Sequence, residues 1–223
     1  MANLNEQLLR PVLAPSLGEM KLQSASISLT LDANYNPATE SPVKVDIQVA
    51  RLQVSDPAGK VPNVPLDLRI VTDALIRQPA TNQMLVTVKQ LAGALNANGK
   101  PGGGFDITGN FDSKAFAGAA TVKLTDFNEA LLGPVLASAL TNLGPGVRLA
   151  TASVNAALDT KFAVKGESSA KGDIALTRFL LSDPKNTLPT VPMDLRVAVD
   201  GSFAKPATNQ IDRKSTRLNS SHT

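Results

Sequence analysis

The chain has 223 residues, with 22 Lys and Arg against 19 Asp and Glu for a formal charge of +3, a single His and no Cys. The lack of cysteine excludes disulfides and thiolate metal sites. No stretch reaches the roughly 20 consecutive apolar residues that a membrane-crossing helix needs. The longest apolar run, Ala130–Leu140, is interrupted by Gly133-Pro134.

In chain order, Asn3-x-x-Glu6 reads as a capping box opening a short helix, with Leu4, Leu8, Val12, Leu13 and Leu17 on one face and Pro11 inside it. Ile27, Leu29 and Leu31 then alternate with Ser26, Ser28, Thr30 and Asp32, the period of a strand with one dry face. Val43, Val45, Ile47 and Val49 repeat that alternation, after which the phase slips by one and Leu52 and Val54 carry the apolar positions. Such a slip predicts a β-bulge. Leu66, Leu68 and Ile70 mark another strand, followed by Met84, Val86 and Val88. Gly99-Lys100-Pro101-Gly102-Gly103-Gly104 reads as a hairpin loop, because its glycines lead into strand-like Phe105-Asp106-Ile107 and not into a phosphate-binding helix. Strands follow over Phe105–Phe111 and Phe116–Leu124. Asp126-x-x-Glu129 is a second capping box, leading a helix with Phe127, Leu131, Val135, Leu136 and Leu140 on one face. Pro134 falls inside that helix and predicts a kink or a break into two short helices. The strand pattern then resumes with Ile174 and Leu176, slips again to Phe179 and Leu181, and returns with Leu195 and Val197.

Much of this is said twice. Ser55-Asp56-Pro57, Val64–Arg69 and Pro79–Gln83 return as Ser182-Asp183-Pro184, Val191–Arg196 and Pro206–Gln210, all 127 residues later. Between Leu29–Gln83 and Ala156–Gln210, 23 of 55 aligned positions are identical. The pattern Asn5-Glu6-x-Leu8-Leu9-x-Pro11 also returns, as Asn128-Glu129-x-Leu131-Leu132-x-Pro134. An architecture of tandem units of about 127 residues is therefore expected, with residues 1–123 as a first unit, 124–211 as a second, and both outer boundaries cutting through a unit. Residues 212–223 stand apart. Asp212–His222 resembles the translation of a short-read sequencing adapter and is set aside from fold reasoning. Without it the only His disappears and the charge falls to +1, so the basic balance gives no case for nucleic acid.

Chemistry is sparse. With neither His nor Cys in residues 1–211, the usual triads, zinc sites and His acid–base pairs are absent. The recurring carboxylates are Asp46/Asp173, Asp56/Asp183, Asp67/Asp194 and Asp73/Asp200. Each recurs with its neighbours, which suits turns and cross-strand ion pairs better than a glycosidase-like pair. Pro62-Asn63-Val64-Pro65 and Pro189-Thr190-Val191-Pro192 both precede a strand and read as rigid entries. What remains is apolar surface. One short helix per unit is too little cover for about six strands, so the dry face must meet a second sheet or something greasy. Periodicity does not decide between a sandwich and a curved sheet with something greasy on its concave face, and physical grounds alone favour the sandwich.

The run Phe105-Asp106-Ile107-Thr108-Gly109-Asn110-Phe111-Asp112, with Ala117–Leu124 and then Thr125-Asp126-Phe127-Asn128-Glu129-Ala130-Leu131-Leu132, resembles the bacterial AsmA family. Ser182-Asp183-Pro184 with the Pro192–Val199 strand is similar to repeats of large AsmA-like proteins. The resemblance implies a mainly β, elongated and curved antiparallel sheet built from tandem units, each with one short Pro-kinked helix. It also implies a periplasmic protein held in the inner membrane by a segment outside this sequence, supporting outer-membrane biogenesis. Its partner would be phospholipid or another acyl lipid, with no cofactor and no catalytic residue carried over. On that reading the groove candidates are Ile27, Leu29, Leu31, Val43, Val45, Ile47, Val49, Leu66, Leu68, Ile70, Ile174, Leu176, Leu195 and Val197. The alternative is a tandem β-sandwich serving as a structural or adhesin stalk, with the same side chains as its closed core.

Overall fold

The computed structural model describes residues 2–5, 7, 8, 11, 15, 18–36, 39–57, 63–185 and 187–204. They form ten strands: β1 (Ala2–Asn5), β2 (Lys21–Ala33), β3 (Glu40–Ser55), β4 (Leu66–Ala80), β5 (Gln83–Ala97), β6 (Lys100–Asp112), β7 (Ala117–Asn128), β8 (Arg148–Ala163), β9 (Glu167–Ser182) and β10 (Met193–Ala204). Helix α1 (Glu129–Leu140) and a 3-10 turn (Thr141–Leu143) join β7 to β8. The strands lie in sequence order in one antiparallel sheet. It is open and uncurled, with β1 and β10 at its edges. Nine inter-strand spacings give a width of about 43 Å, and strands of 12–16 residues a height of roughly 40–50 Å.

Tight turns make the meander possible. Asn98 and Gly99, with φ of 52° and 72°, form the two-residue link between β5 and β6. Both central residues at positive φ is the turn whose twist matches that of the flanking strands. Between β6 and β7, Asp112 Oδ1 accepts the Lys114 and Ala115 amides at 2.8 and 3.1 Å. Those bonds hold its carboxyl below the usual range, the Ala115 amide contributing most.

Both predicted phase slips are bulges. The β3–β4 register shifts between Val49 and Leu52, where Arg51 adopts φ 53°. The corresponding residue of β9, Arg178, adopts φ 56°. Each bulge is closed in the same way. The Arg51 amide donates to Asp67 Oδ1 at 2.8 Å and its carbonyl accepts the Ser24 hydroxyl at 2.6 Å. The Arg178 amide donates to Asp194 Oδ1 at 2.7 Å and its carbonyl accepts the Thr151 hydroxyl at 2.6 Å.

Several expectations are corrected. The sheet is uncurled where a curved one was expected, because alternation assigns side chains to faces but does not encode how far a sheet bends. The helix cap is Asn128, whose Oδ1 accepts the Ala130 amide at 3.1 Å, and not Asp126. Asp126 sits at φ 49° in a bulge of β7, where its carboxylate accepts the Ser153 hydroxyl at 2.7 Å. Glu129 reaches across to the Ala152 amide instead of back to a cap. Asn3 lies in strand β1, opposite Ser28, where a helix cap was expected. Of the first expected helix, Gln7, Leu8, Pro11 and Pro15 are helical, and the positions between them lie outside the described residues. Helix α1 runs as one 12-residue segment through Pro134, without the break into two. Pro134 removes only one backbone donor in the first half of the helix, and packing on β8 holds the rest. That packing uses Leu132, Leu136 and Leu140, whereas Val135 is exposed and Phe127 belongs to β7. The glycine run is strand as well. Gly102 is buried against Leu131 of α1, and Gly103, at φ 130°, meets the Asp126–Phe127 backbone.

Among the described residues the buried apolar clusters are two and small, Leu22 with Ala25, and Leu140, Val147, Leu149 and Ala152 under α1, while Ala74, Ala97 and Ala156 are buried apart from them. Both clusters lie at the same end of the sheet, where β2 and β8 begin.

Candidate functional site

Register decides which side chains share a face, since residues paired across antiparallel strands point the same way. Starting at Leu29, consecutive pairings run through Ile47, Ile70, Gly93, Phe105, Leu124, Ala156 and Ile174 to Val197. This is an unbroken apolar row from β2 to β10. The row two residues away begins Leu31, Val45, Thr72, Leu91 and Ile107, then continues through Val122, Leu158 and Gly172 to Val199. On the other side Ile27, Val49, Leu68 and Leu95 are joined in register, as are Phe127, Val154, Leu176 and Leu195.

All fourteen candidate residues lie on this one face. Leu66 joins it through its pairing with Ala97, and Val43 through its pairing with Ala33 and Ala74. None of the fourteen is buried: Leu29, Leu31 and Leu195 are exposed and the other eleven are half-buried. Leu31 is 62% exposed. Helix α1 lies over the sheet at the end where β8 begins, packed chiefly on β8. At the far end of β2–β5, a hollow of about 320 Å³ is lined by Val43, Ile76, Met84 and Tyr35 among others.

The face is extended by residues outside the duplicated segments. Leu91, Leu95, Phe105, Ile107, Val122 and Leu124 bridge the middle strands. The alternation of Phe105 and Ile107 was a readable signal, but β5 changes phase between Val88 and Leu91, which hid its half of the row. Gly93 fits because Phe105 from the next strand lies over it, and a Cβ there would fall within the ring.

The opposite face is polar. Here Arg69 forks onto Asp46, with Nη2 to Oδ2 at 2.8 Å and Nε to Oδ1 at 3.2 Å. The Arg69 hydrogen bond holds the Asp46 carboxyl below its ordinary range. Arg196 meets Asp173 at 3.3 Å, Lys44 lies 4.0 Å from Asp73, and Lys171 lies 3.9 Å from Asp200. A hollow of about 520 Å³ on this side includes Asp173, Asp194 and Arg196 in its lining. Their charges are taken up by the Arg196–Asp173 pair and the Arg178 amide. Among the described residues no group of three acidic or His side chains could hold a metal, and no helix is long and apolar enough to cross a membrane. Residues 212–223 lie outside the described residues.

No family model matches the chain, and no curated protein or solved structure is detectably similar to it.

Proposed function

We propose that this chain is a non-enzymatic, AsmA-like module of a bacterial envelope that binds or conducts phospholipid along the apolar face of its sheet. The observation that carries the reading is the continuity of that face. Rows of Leu, Ile, Val and Phe run across nine strands, and none of the fourteen candidate residues is buried. Soluble proteins rarely leave contiguous apolar patches above a few hundred Å² uncovered without a partner for them. A strand of ten residues spans about 33 Å, roughly twice the acyl depth of one leaflet, so a lipid tail can lie fully on the sheet.

The tandem-unit architecture belongs to the same proposal. The bulges at Arg51 and Arg178, their Asp67 and Asp194 acceptors, and the Asp46–Arg69 and Asp173–Arg196 pairs all recur 127 residues apart. A periplasmic setting, anchorage through an inner-membrane segment outside this sequence and a role in outer-membrane biogenesis follow from the resemblance. The duplicated Asp residues serve the scaffold, and neither catalysis nor nucleic-acid binding is assigned.

The alternative, a tandem β-sandwich stalk, draws support from the uncurled sheet, since a flat apolar face stacks readily on another at about 10 Å. Native mass spectrometry of the chain expressed in a bacterial periplasm separates the two. Co-purifying phospholipid is expected; lipid-free protein in face-to-face dimers would establish the sandwich.

A further inference from the structure

We infer that the end of the sheet opposite α1 docks on a bilayer surface, its hairpin turns inserting apolar side chains among the lipid headgroups. This goes beyond the proposed function, because it needs no lipid along the apolar face. All four exposed aromatic residues among the described ones, Tyr35, Phe116, Phe162 and Phe203, stand at this end. Phe116 is held there against its backbone preference. It is the last of the four residues, 113–116, that turn β6 into β7, and it adopts φ 46° while 56% exposed. Glycine takes that conformation freely, whereas a bulky side chain is strained in it. Strain kept at an exposed aromatic residue marks a functional position.

The surroundings hold the ring without burying it. Phe116 meets Phe111 edge-on, with ring centres 5.7 Å apart, and Phe162 stacks on Phe111 at 5.9 Å. Phe162 reaches across β7 because Gly118 lies beneath it, where a Cβ would come within 2.8 Å of the ring. The adjoining turns are tied to this one. The Val164 amide donates to the Phe116 carbonyl at 3.2 Å, and the Ser113 amide donates to the Met84 carbonyl at 2.9 Å. Met84 and Val164 are themselves exposed.

From Tyr35 after β2 to Phe162 in β8, six strand spacings set the exposed rings along about 29 Å, too far for one small molecule and suited to an extended surface. The same turns carry exposed Lys114 and Lys165, each within two residues of an exposed apolar side chain. Lys is depleted in protein–protein contacts. At a bilayer its stem lies beside acyl chains while its ammonium reaches the phosphates. The occupant is therefore the lipid–water interface, with Phe116, Val164 and Met84 below the headgroups and the two lysines among them.

The chain has no Trp, so a single introduced tryptophan reports which end is inserted. Phe116→Trp and, at the α1 end, Val135→Trp are each mixed with vesicles of three parts phosphatidylcholine to one part phosphatidylglycerol, with and without brominated acyl chains. Emission of Phe116→Trp is expected to shift to the blue and to be quenched by brominated lipid at least threefold more than that of Val135→Trp. Phe116→Gly, which suits the turn, should keep the β-sheet circular dichroism and cut co-flotation with vesicles at least fivefold. Equal quenching at the two positions would mean a sheet lying flat, with α1 also on the bilayer, and overturns the proposal. Undiminished flotation of Phe116→Gly overturns it too. So does a lipid-free dimer that ignores vesicles and is dissociated by Phe116→Gly, since the edge would then fit a second copy. Vesicle attachment by protein that purifies free of phospholipid would leave this edge standing and remove the lipid-carrying reading; co-purifying phospholipid without vesicle attachment would do the reverse.

Discussion

Arg51 and Arg178 hold left-handed backbone conformations that side-chain-bearing residues seldom adopt, at a cost of about 1 kcal/mol or more each. The neighbouring strand compensates by supplying a carboxylate to the bulge amide, from Asp67 in one case and Asp194 in the other. Leaving that amide without an acceptor costs about 1–3 kcal/mol where water is excluded and less where water can replace it. Asp67→Ala is therefore expected to lower stability by about 1 kcal/mol in urea unfolding, and Asp67→Asn, which keeps an acceptor oxygen, by clearly less. Equal losses for the two would mean that charge, and not the hydrogen bond, closes the bulge. Asp183 offers a second residue-level test. The Thr187 hydroxyl first, then the Lys185, Thr187 and Leu188 amides, bring its carboxyl from the ordinary 3.8 down to about 2. A depressed folded-state pKa stabilises the fold above the unfolded value, so this contribution is complete above about pH 4 and fades as pH falls towards 2. Thr187→Val should move the Asp183 midpoint upward in an NMR titration. An unchanged midpoint would assign the shift to the backbone amides alone.

At the scale of elements, strands were easier to read than what joins them. Alternation placed Ile27–Leu31, Val43–Val49 and Leu66–Ile70 correctly because one face is dry along each strand. The two slips were legible as bulges because they shift the apolar phase without breaking it. The glycine run before Phe105 was not legible as strand. Composition marks glycine as loop, whereas here Gly102 and Gly103 are needed so that α1 and the β7 bulge can come close. The helix face was misread for a related reason. Phe127 fits helical spacing, but its pairing with Val154 holds it in β7, and a local period carries no information about that partner. Gly93 is a comparable case in which a packing need is invisible in the sequence. Gly93→Ala should force the Phe105 ring aside and cost about 1–3 kcal/mol as an overpacked contact. Phe105→Leu alone should cost roughly as much through lost burial, yet the double variant should recover part of the sum. A double-mutant cycle in urea with no coupling between the two positions would place the ring elsewhere.

For the whole molecule, the single layer sets the functional problem. A sheet about 43 Å wide and at least as tall carries well over 1,000 Å² on each face, more than the roughly 800 Å² that each partner contributes to a standard protein interface. The polar face satisfies itself through Arg69–Asp46, Arg196–Asp173 and their neighbours, but α1 covers only one end of the apolar face. On the proposed function lipid lies along the remainder, and on the alternative another sheet or a second copy does. Adjacent residues of β5 can tell an apolar-face effect from general damage, because Ala94 and Leu95 point to opposite sides. Ala94 pairs with Arg69 on the polar face, and Leu95 pairs with Leu68 on the apolar one. Ala94→Asp puts a carboxylate beside a guanidinium and should leave both fold and bound phospholipid as they were. Leu95→Asp puts a charge among apolar side chains, where a lipid tail could not solvate it. It is expected to cut co-purifying phospholipid at least fivefold while the β-sheet circular dichroism persists. Equal lipid content in the two variants, measured by native mass spectrometry alongside the unsubstituted chain, would remove the apolar face as the lipid site. Release of a stable dimer into monomers by Leu95→Asp, with no lipid in either form, would instead identify a second copy of the sheet as the natural cover.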